Sequence, residues 1–147
     1  MKGYITSTLF MFGLIVAMPL SGIAQDKATN DHAAEKKAAL EAVESWLKLI
    51  DSGKYAQSWD AAAKLFQDNV PKADWKKSVD ATLSPLGKVV SRQVIAQHYL
   101  TQIPGGPDGE YVIVQFNTVF ENKKEAMESI TPLVENGEWK VSGYFVK

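Results

Sequence analysis

The sequence predicts an α+β domain, with three N-terminal helices packed on one face of a curved, four-stranded antiparallel sheet. Three observations lead there. Up to about residue 86, apolar side chains recur at three- and four-residue spacing, the period of a helix face. From residue 88 the period falls to two, as on a strand with one covered face. Asn136-Gly137, between two β-prone runs, is a two-residue hairpin signal that makes sequence neighbours sheet neighbours. Helices first and hairpin-linked strands after them give two packed layers around one core.

The first helix is "AAEKKAALEAVESWLKLIDSG", in which Leu40, Val43, Leu47 and Ile50 form a stripe widened by Ala39 and Trp46. Gly53 is placed to end it in a left-handed cap. The second is "KYAQSWDAAAKLFQ", with Tyr55, Trp59, Ala62 and Phe66 on one face. Pro71 suits the first position of the third, whose apolar face is Trp75, Val79 and Leu83. Pro85 disfavours helix at Ser84, and Gly87 is the stop.

The first strand, "KVVSRQVIAQHYLTQI", mixes its parity: Val90, Val94, Ala96 and Leu100 alternate against Val89, Ile95 and Tyr99. That implies a bulge or a strand covered on both sides. The second strand puts Val112, Val114, Phe116, Thr118 and Phe120 on one face, leaving Tyr111, Ile113 and Val119 on the other. In the third, "EAMESITPLVEN", Pro132 suits an edge or a bulge. The fourth alternates Trp139, Val141, Gly143 and Phe145, read as inward, against Lys140, Ser142, Tyr144 and Val146.

Between the first two strands lies "TQIPGGPDGEYVIVQF". A phosphate loop needs Gly-x4-Gly-Lys-Ser/Thr followed by a helix, whereas here Gly109 is followed by Glu110 and a strand, with no lysine. Pro104 and Pro107 fix φ, Gly105, Gly106 and Gly109 offer positive φ, and Asp108-Gly109 is a turn dipeptide. The segment reads as a chain reversal.

Residues 1–24 read as a secretory signal peptide: Lys2, an uncharged apolar run from Ile5 to Leu20, then Pro19, Ser21 and Gly22 before cleavage after Ala24. The run falls short of the roughly 20 residues that span a bilayer, so no membrane association is expected after cleavage. Residues 25–33 form a flexible polar lead and 34–147 the single domain. Removing 24 of 147 residues leaves 123, enough for one core. With Lys2 gone, 15 basic residues face 17 acidic ones, a balance that argues against nucleic acid as partner. There is no cysteine, which excludes disulfides and thiolate metal sites, and no Asn-x-Ser/Thr acceptor. The expected location is a bacterial periplasm or the exterior.

Little in the chain resembles a catalytic site. His32 lies in the lead and His98 stands alone in a strand, so no metal or other cofactor is expected. Asp60, Glu121 and Glu128 could serve acid–base chemistry, with Tyr55 or Tyr99 as donor, but each reads more simply as solvated or paired. Arg92 and Glu128 each sit among apolar strand neighbours, which suggests either a buried ion pair or a polar contact inside a pocket. Tyr55, Trp59, Trp75, Phe116, Trp139 and Phe145 would point inward and fill a core or line a pocket. The candidate ligand-binding set is Tyr55, Trp59, Trp75, Arg92, Gln115, Phe116, Glu128 and Trp139, with no catalytic residue assigned.

"WLKLIDSGKYAQSWDAAAKLF", Trp75, "LGKVVSR", "IPGGPDGEYVIVQF", Glu128 and "GEWKVSGY" together resemble the bacterial exported family called domain of unknown function 4019. The resemblance runs from about Ala38 to Val146. It implies a cone-shaped layout similar to the cystatin-like fold named after nuclear transport factor 2, and it brings no catalytic residue, cofactor or substrate with it, because the function of the family is itself unknown. Three functions remain as expectations: a non-catalytic domain holding a small, partly apolar ligand; a dimerisation or docking module using the sheet face; and an acid–base enzyme with a pocket carboxylate.

Overall fold

The computed structural model describes residues 31–147. The signal segment 1–24 and most of the polar lead lie outside these residues. The order is α1 (Ala33–Asp51), α2 (Tyr55–Asp60), α3 (Lys64–Asn69), α4 (Lys72–Leu83), a 3₁₀ turn (Ser84–Leu86), then β1 (Val89–Leu100), β2 (Tyr111–Phe120), β3 (Lys123–Glu135) and β4 (Glu138–Val146). The strands form one antiparallel sheet in the order β1-β2-β3-β4, as hairpin connections require. The α+β expectation holds.

α1 buries Ala39, Val43, Trp46, Leu47 and Ile50 of the predicted stripe, while Leu40 is only half-buried at its margin. It ends as Gly53 adopts φ 70°, with Gly53 N–H donating to Ile50 O and Lys54 N–H to Leu49 O. This is the paired closure of a Schellman motif.

The second predicted helix is two helices. The chain turns extended at Ala63 (φ −62°, ψ 149°), so that its N–H reaches the Val141 carbonyl of β4 at 2.8 Å. The Gln67 side-chain amide then donates to the carbonyls of Trp59, Asp60 and Ala62, which an unbroken helix would have satisfied itself. A contact across the fold thus overrides an alanine-rich helical run. Pro71 sits just before α4 rather than in it, accepting from Trp75 N–H. Ser84 is helical despite the following proline, because the chain tightens into a 3₁₀ turn there before Gly87 stops it at φ 76°.

β1 carries two bulges, at Val90 and Ile95, which explains its mixed parity. All five predicted inward residues of β2 are buried. β3 is internal, so Pro132 is accommodated by a bulge opposite it rather than by an edge. Thr131 pairs with Gly143 and Pro132 with Val141, leaving Ser142 as the extra residue of β4. That insertion reverses the alternation. Tyr144 enters the core, and Phe145, expected inward, is half-exposed. Asn136 and Gly137 both take positive φ (52° and 79°), as a type I′ turn demands.

The loop of residues 101–110 is a chain reversal, closed by Gly109 N–H donating to Thr101 O and by the Gln102 amide on Asp108. Among its glycines only Gly105 uses positive φ. Gly106 is required for space, since a Cβ there would lie 2.7 Å from Ile103 Cγ1. The loop covers Tyr111, whose hydroxyl donates to Pro107 O at 2.6 Å. Ala63, Tyr111 and Leu133 make a small satellite core there, and the main core fills the space between helices and sheet.

Candidate functional site

The polar centre of the fold draws one residue from each strand and one from α1. Glu128 on β3 is completely buried. Its Oε2 accepts from Arg92 Nε at 2.6 Å (β1) and Thr118 Oγ1 at 2.6 Å (β2). Its Oε1 accepts from Arg92 Nη2 at 3.1 Å and the Tyr144 hydroxyl at 2.7 Å (β4). Arg92 turns its outer edge to Asp51, the last residue of α1, with Nη1–Oδ2 at 2.8 Å and Nη2–Oδ1 at 3.0 Å. The guanidinium therefore bridges two carboxylates, one dry and one 36% exposed.

The register puts these groups together. Arg92 is paired with Thr118, which faces Ala126, and Glu128 lies beside Phe116 one inward position away. A buried carboxylate is tolerable only when its lone pairs are met, and four donors meet them here. Burial works against the Arg92 cation, but hydrogen bonds from Asp51 and Glu128 and their negative charges outweigh it and raise its pKa above the usual value. Burial, then the charge and hydrogen bond of Glu128, pushes the Tyr144 phenol well above its ordinary value. No buried side-chain nitrogen or oxygen among the described residues lacks a partner. With both oxygens saturated, Glu128 has no lone pair free to take a proton from a substrate.

Around this centre the aromatics meet one another. Trp75 stands edge-on to Phe66 (ring centroids 4.9 Å apart) and to Tyr144 (6.3 Å), while Trp46 meets Tyr144 at 5.5 Å and Trp75 at 6.0 Å. Ser58, fully buried, ties both indoles down: its Oγ accepts from Trp75 Nε1 and its carbonyl from Trp46 Nε1.

The eight predicted residues divide accordingly. Trp75, Phe116, Arg92 and Glu128 share the interior. Trp139 is half-buried against the same core. Trp59 sits at its margin, its indole donating to Val70 O and its ring 5.6 Å from the Lys72 ammonium. Gln115 follows the other parity of β2, beside Ala96 and Ser129 on the outer face, away from the rest. Tyr55 lines a surface cleft beside Ile50, Leu83 and Phe120. Sequence reasoning missed Asp51, which reads as an ordinary helix-end acid, and Tyr144, whose inward turn depends on the bulge at Ser142. Of the other acid–base candidates, Asp60 pairs with Lys72 at 2.7 Å, Tyr99 donates to Glu110 at 3.0 Å and Glu121 accepts from Lys88 N–H at 3.0 Å, while the Tyr55 hydroxyl has no partner among the described residues. Among the described residues no group of His, Asp and Glu could hold a metal ion.

The model of the family described as protein of unknown function (DUF4019) matches residues 42–144. The chain belongs to this family. The matched span of this DUF4019 member runs from α1 to β4 and contains Asp51, Arg92, Thr118, Glu128 and Tyr144. Among curated proteins none matches the chain.

Proposed function

We propose that this DUF4019 domain is a non-catalytic interaction module whose outer sheet face docks a second copy of the same chain. The supporting observation is the composition of that face. Alternation and register give it the rows His98-Ile113-Thr131-Gly143, Ala96-Gln115-Ser129-Phe145 and Gln93-Asn117-Met127. Within these rows the four strands contribute no charged side chain; Lys147 continues the last row beside Met127 at the sheet edge, and Glu125 stands one row further out. The bulged Val90 and Ile95 and the strand-end Leu100 are the large apolar residues most exposed, at 63%, 55% and 36%. A face meant only for water normally carries charge.

The size fits. Four strands about 4.8 Å apart and roughly 33 Å long give a face of about 630 Å², so two copies would bury about 1,250 Å², within the range of specific interfaces. A two-fold pairing presents the same patch from both sides. Ile95, Asn117, Glu125, Met127 and Lys147 border a shallow groove on this face, where one copy's side chains could seat against the other's. Glu125 and Lys147 at its rim offer opposite charges to a symmetry mate.

The one-sided packing of the helices, together with the bulges at Val90, Ile95 and Ser142 that bend their strands, also supports the cone-shaped, nuclear-transport-factor-2-like layout as part of this reading. Export rests on the pattern of residues 1–24; no helix among the described residues is long and apolar enough to cross a membrane. A ligand inside the cone has less support than the docking face, because interlocked aromatics and the Arg92–Glu128 network occupy that space.

Sedimentation velocity across a concentration series tests the proposal. The expected result is a concentration-dependent dimer that Ile95→Lys converts to a monomer with an unchanged circular dichroism spectrum. A wild-type protein that stays monomeric at its highest soluble concentration would overturn it.

A further inference from the structure

We propose that the cleft where α1, α4 and the start of β1 converge is a binding site for a small organic cation with an apolar body. Ile50, Leu83 and Phe120 form its floor, and all three are buried residues of the main core. Tyr55 and Val89 wall it, and Asp51, Lys88 and Glu121 stand at its mouth. Its volume is ≈ 250 Å³, just under the roughly 300 Å³ at which drug-sized pockets begin. An amine carrying one ring or a short alkyl group matches that space.

The sign of charge follows from what surrounds the cleft. The C-terminal ends of α1 and α4, at Asp51 and Leu83, both border it, and such ends carry partial negative charge. Arg92 is committed to Asp51 and Glu128, so its charge is already balanced within the fold. Glu121 at the mouth uses Oε2 to accept from Lys88 N–H, and Asp80 lies near enough to Tyr55 to act on it electrostatically. Against these acids Lys88 is the one cation lining the cleft. An anionic ligand would meet repulsion here.

Tyr55 supplies the specific contact. The hydroxyls of Tyr99, Tyr111 and Tyr144 are each hydrogen-bonded, to Glu110, Pro107 and Glu128. The Tyr55 hydroxyl makes no hydrogen bond among the described residues. Burial, followed by the negative charges of Asp80 and Asp51, raises its pKa, so it stays a neutral phenol. Its oxygen can accept from an ammonium N–H, and its ring face can receive the cation directly. The site lies between helices and sheet, on the side away from the proposed docking face, so the two proposals stand or fall separately.

Phenethylammonium chloride is the probe, with sodium phenylacetate as its anionic match, read by calorimetry and by amide shifts in two-dimensional NMR. The expected result is saturable binding of the cation, with shifts at Gly53, Tyr55, Gly87 and Glu121, and no binding of phenylacetate. Glu121→Gln keeps an acceptor for Lys88 N–H while removing the charge, and should weaken the amine roughly fivefold. Tyr55→Phe should weaken it as well, and added salt should reduce affinity. Equal binding of both probes, shifts located elsewhere, or no response at millimolar amine would each overturn the assignment.

Discussion

Replacing Arg92 by methionine should be among the most damaging single changes the domain can suffer, although Arg92 is not itself fully buried. The substitution keeps much of the unbranched stem and removes four hydrogen bonds, two to Glu128 and two to Asp51. The Asp51 half costs little, because that carboxylate is 36% exposed and exposed pairs contribute about 0.2–1 kcal/mol. The Glu128 half dominates. A fully buried carboxylate would remain with only the Thr118 and Tyr144 hydroxyls as donors, and breaking such a pair costs about 3–5 kcal/mol. Small domains have about 5–15 kcal/mol in total, so the variant would sit near its unfolding threshold. With a urea slope of about 2 kcal/mol per molar, the midpoint should fall by about 2 M. Arg92→Met/Glu128→Met supplies the control: it removes the stranded charge, so its loss should be at least about 2 kcal/mol smaller than the sum of the two single losses. A midpoint shift below about 0.5 M for Arg92→Met, or strict additivity in the double variant, would refute the account of Glu128 as a charge kept dry by its donors.

Other expectations follow from neighbouring contacts. The folded state holds Tyr144 protonated above its ordinary pKa, while the unfolded chain ionises near about 10, so the stability it confers is complete below that pH and declines as pH rises towards the folded value. Tyr144→Phe should remove an alkaline slope of up to about 1.4 kcal/mol per pH unit, measured by urea titrations above about pH 10. Ser58→Ala would leave the Trp75 indole N–H without its acceptor in the core and should cost about 1–3 kcal/mol, visible in the midpoint and in tryptophan fluorescence. Gly53→Ala and Gly87→Ala both place a side chain at positive φ, costing about 1–2 kcal/mol each. Gly87 should be worse, because its Cβ would come within 2.7 Å of Glu121 Oε2 whereas nothing lies within 4 Å at Gly53; the reverse order in thermal melts would contradict this.

What could be read from the chain and what could not differ in their physical range. Val112, Val114, Phe116, Thr118 and Phe120 could be assigned to the core because alternation is local and β2 is flanked on both sides. Gly53, Gly87 and Asn136-Gly137 were readable for the same reason, since positive φ has few chemical solutions. The break at Ala63 depends on a carbonyl 78 residues away, on Val141, and no run of alanines announces it. The Ser142 bulge likewise depends on its pairing partner, and one unseen inserted residue exchanged Phe145 for Tyr144 in the core. Within the polar centre, Arg92 and Glu128 stood out as charges in apolar strands. Asp51 did not, because a helix-end acid is commonplace until something cationic is found opposite it.

The five-residue centre has a consequence for how the sheet finds its pairing. Arg92, Thr118, Glu128 and Tyr144 come one from each strand, and side chains change face with every single-residue slip. A sheet misaligned by one residue at any of its three ladders would bury Glu128 with fewer donors, or turn a donor out to water. Apolar residues such as Val112 and Val114 discriminate weakly between alignments, because one aliphatic neighbour replaces another at small cost. The carboxylate discriminates strongly. Its need for donors penalises near-native arrangements that hydrophobic burial alone would accept, and Asp51 extends that penalty to misdocking of the first helix.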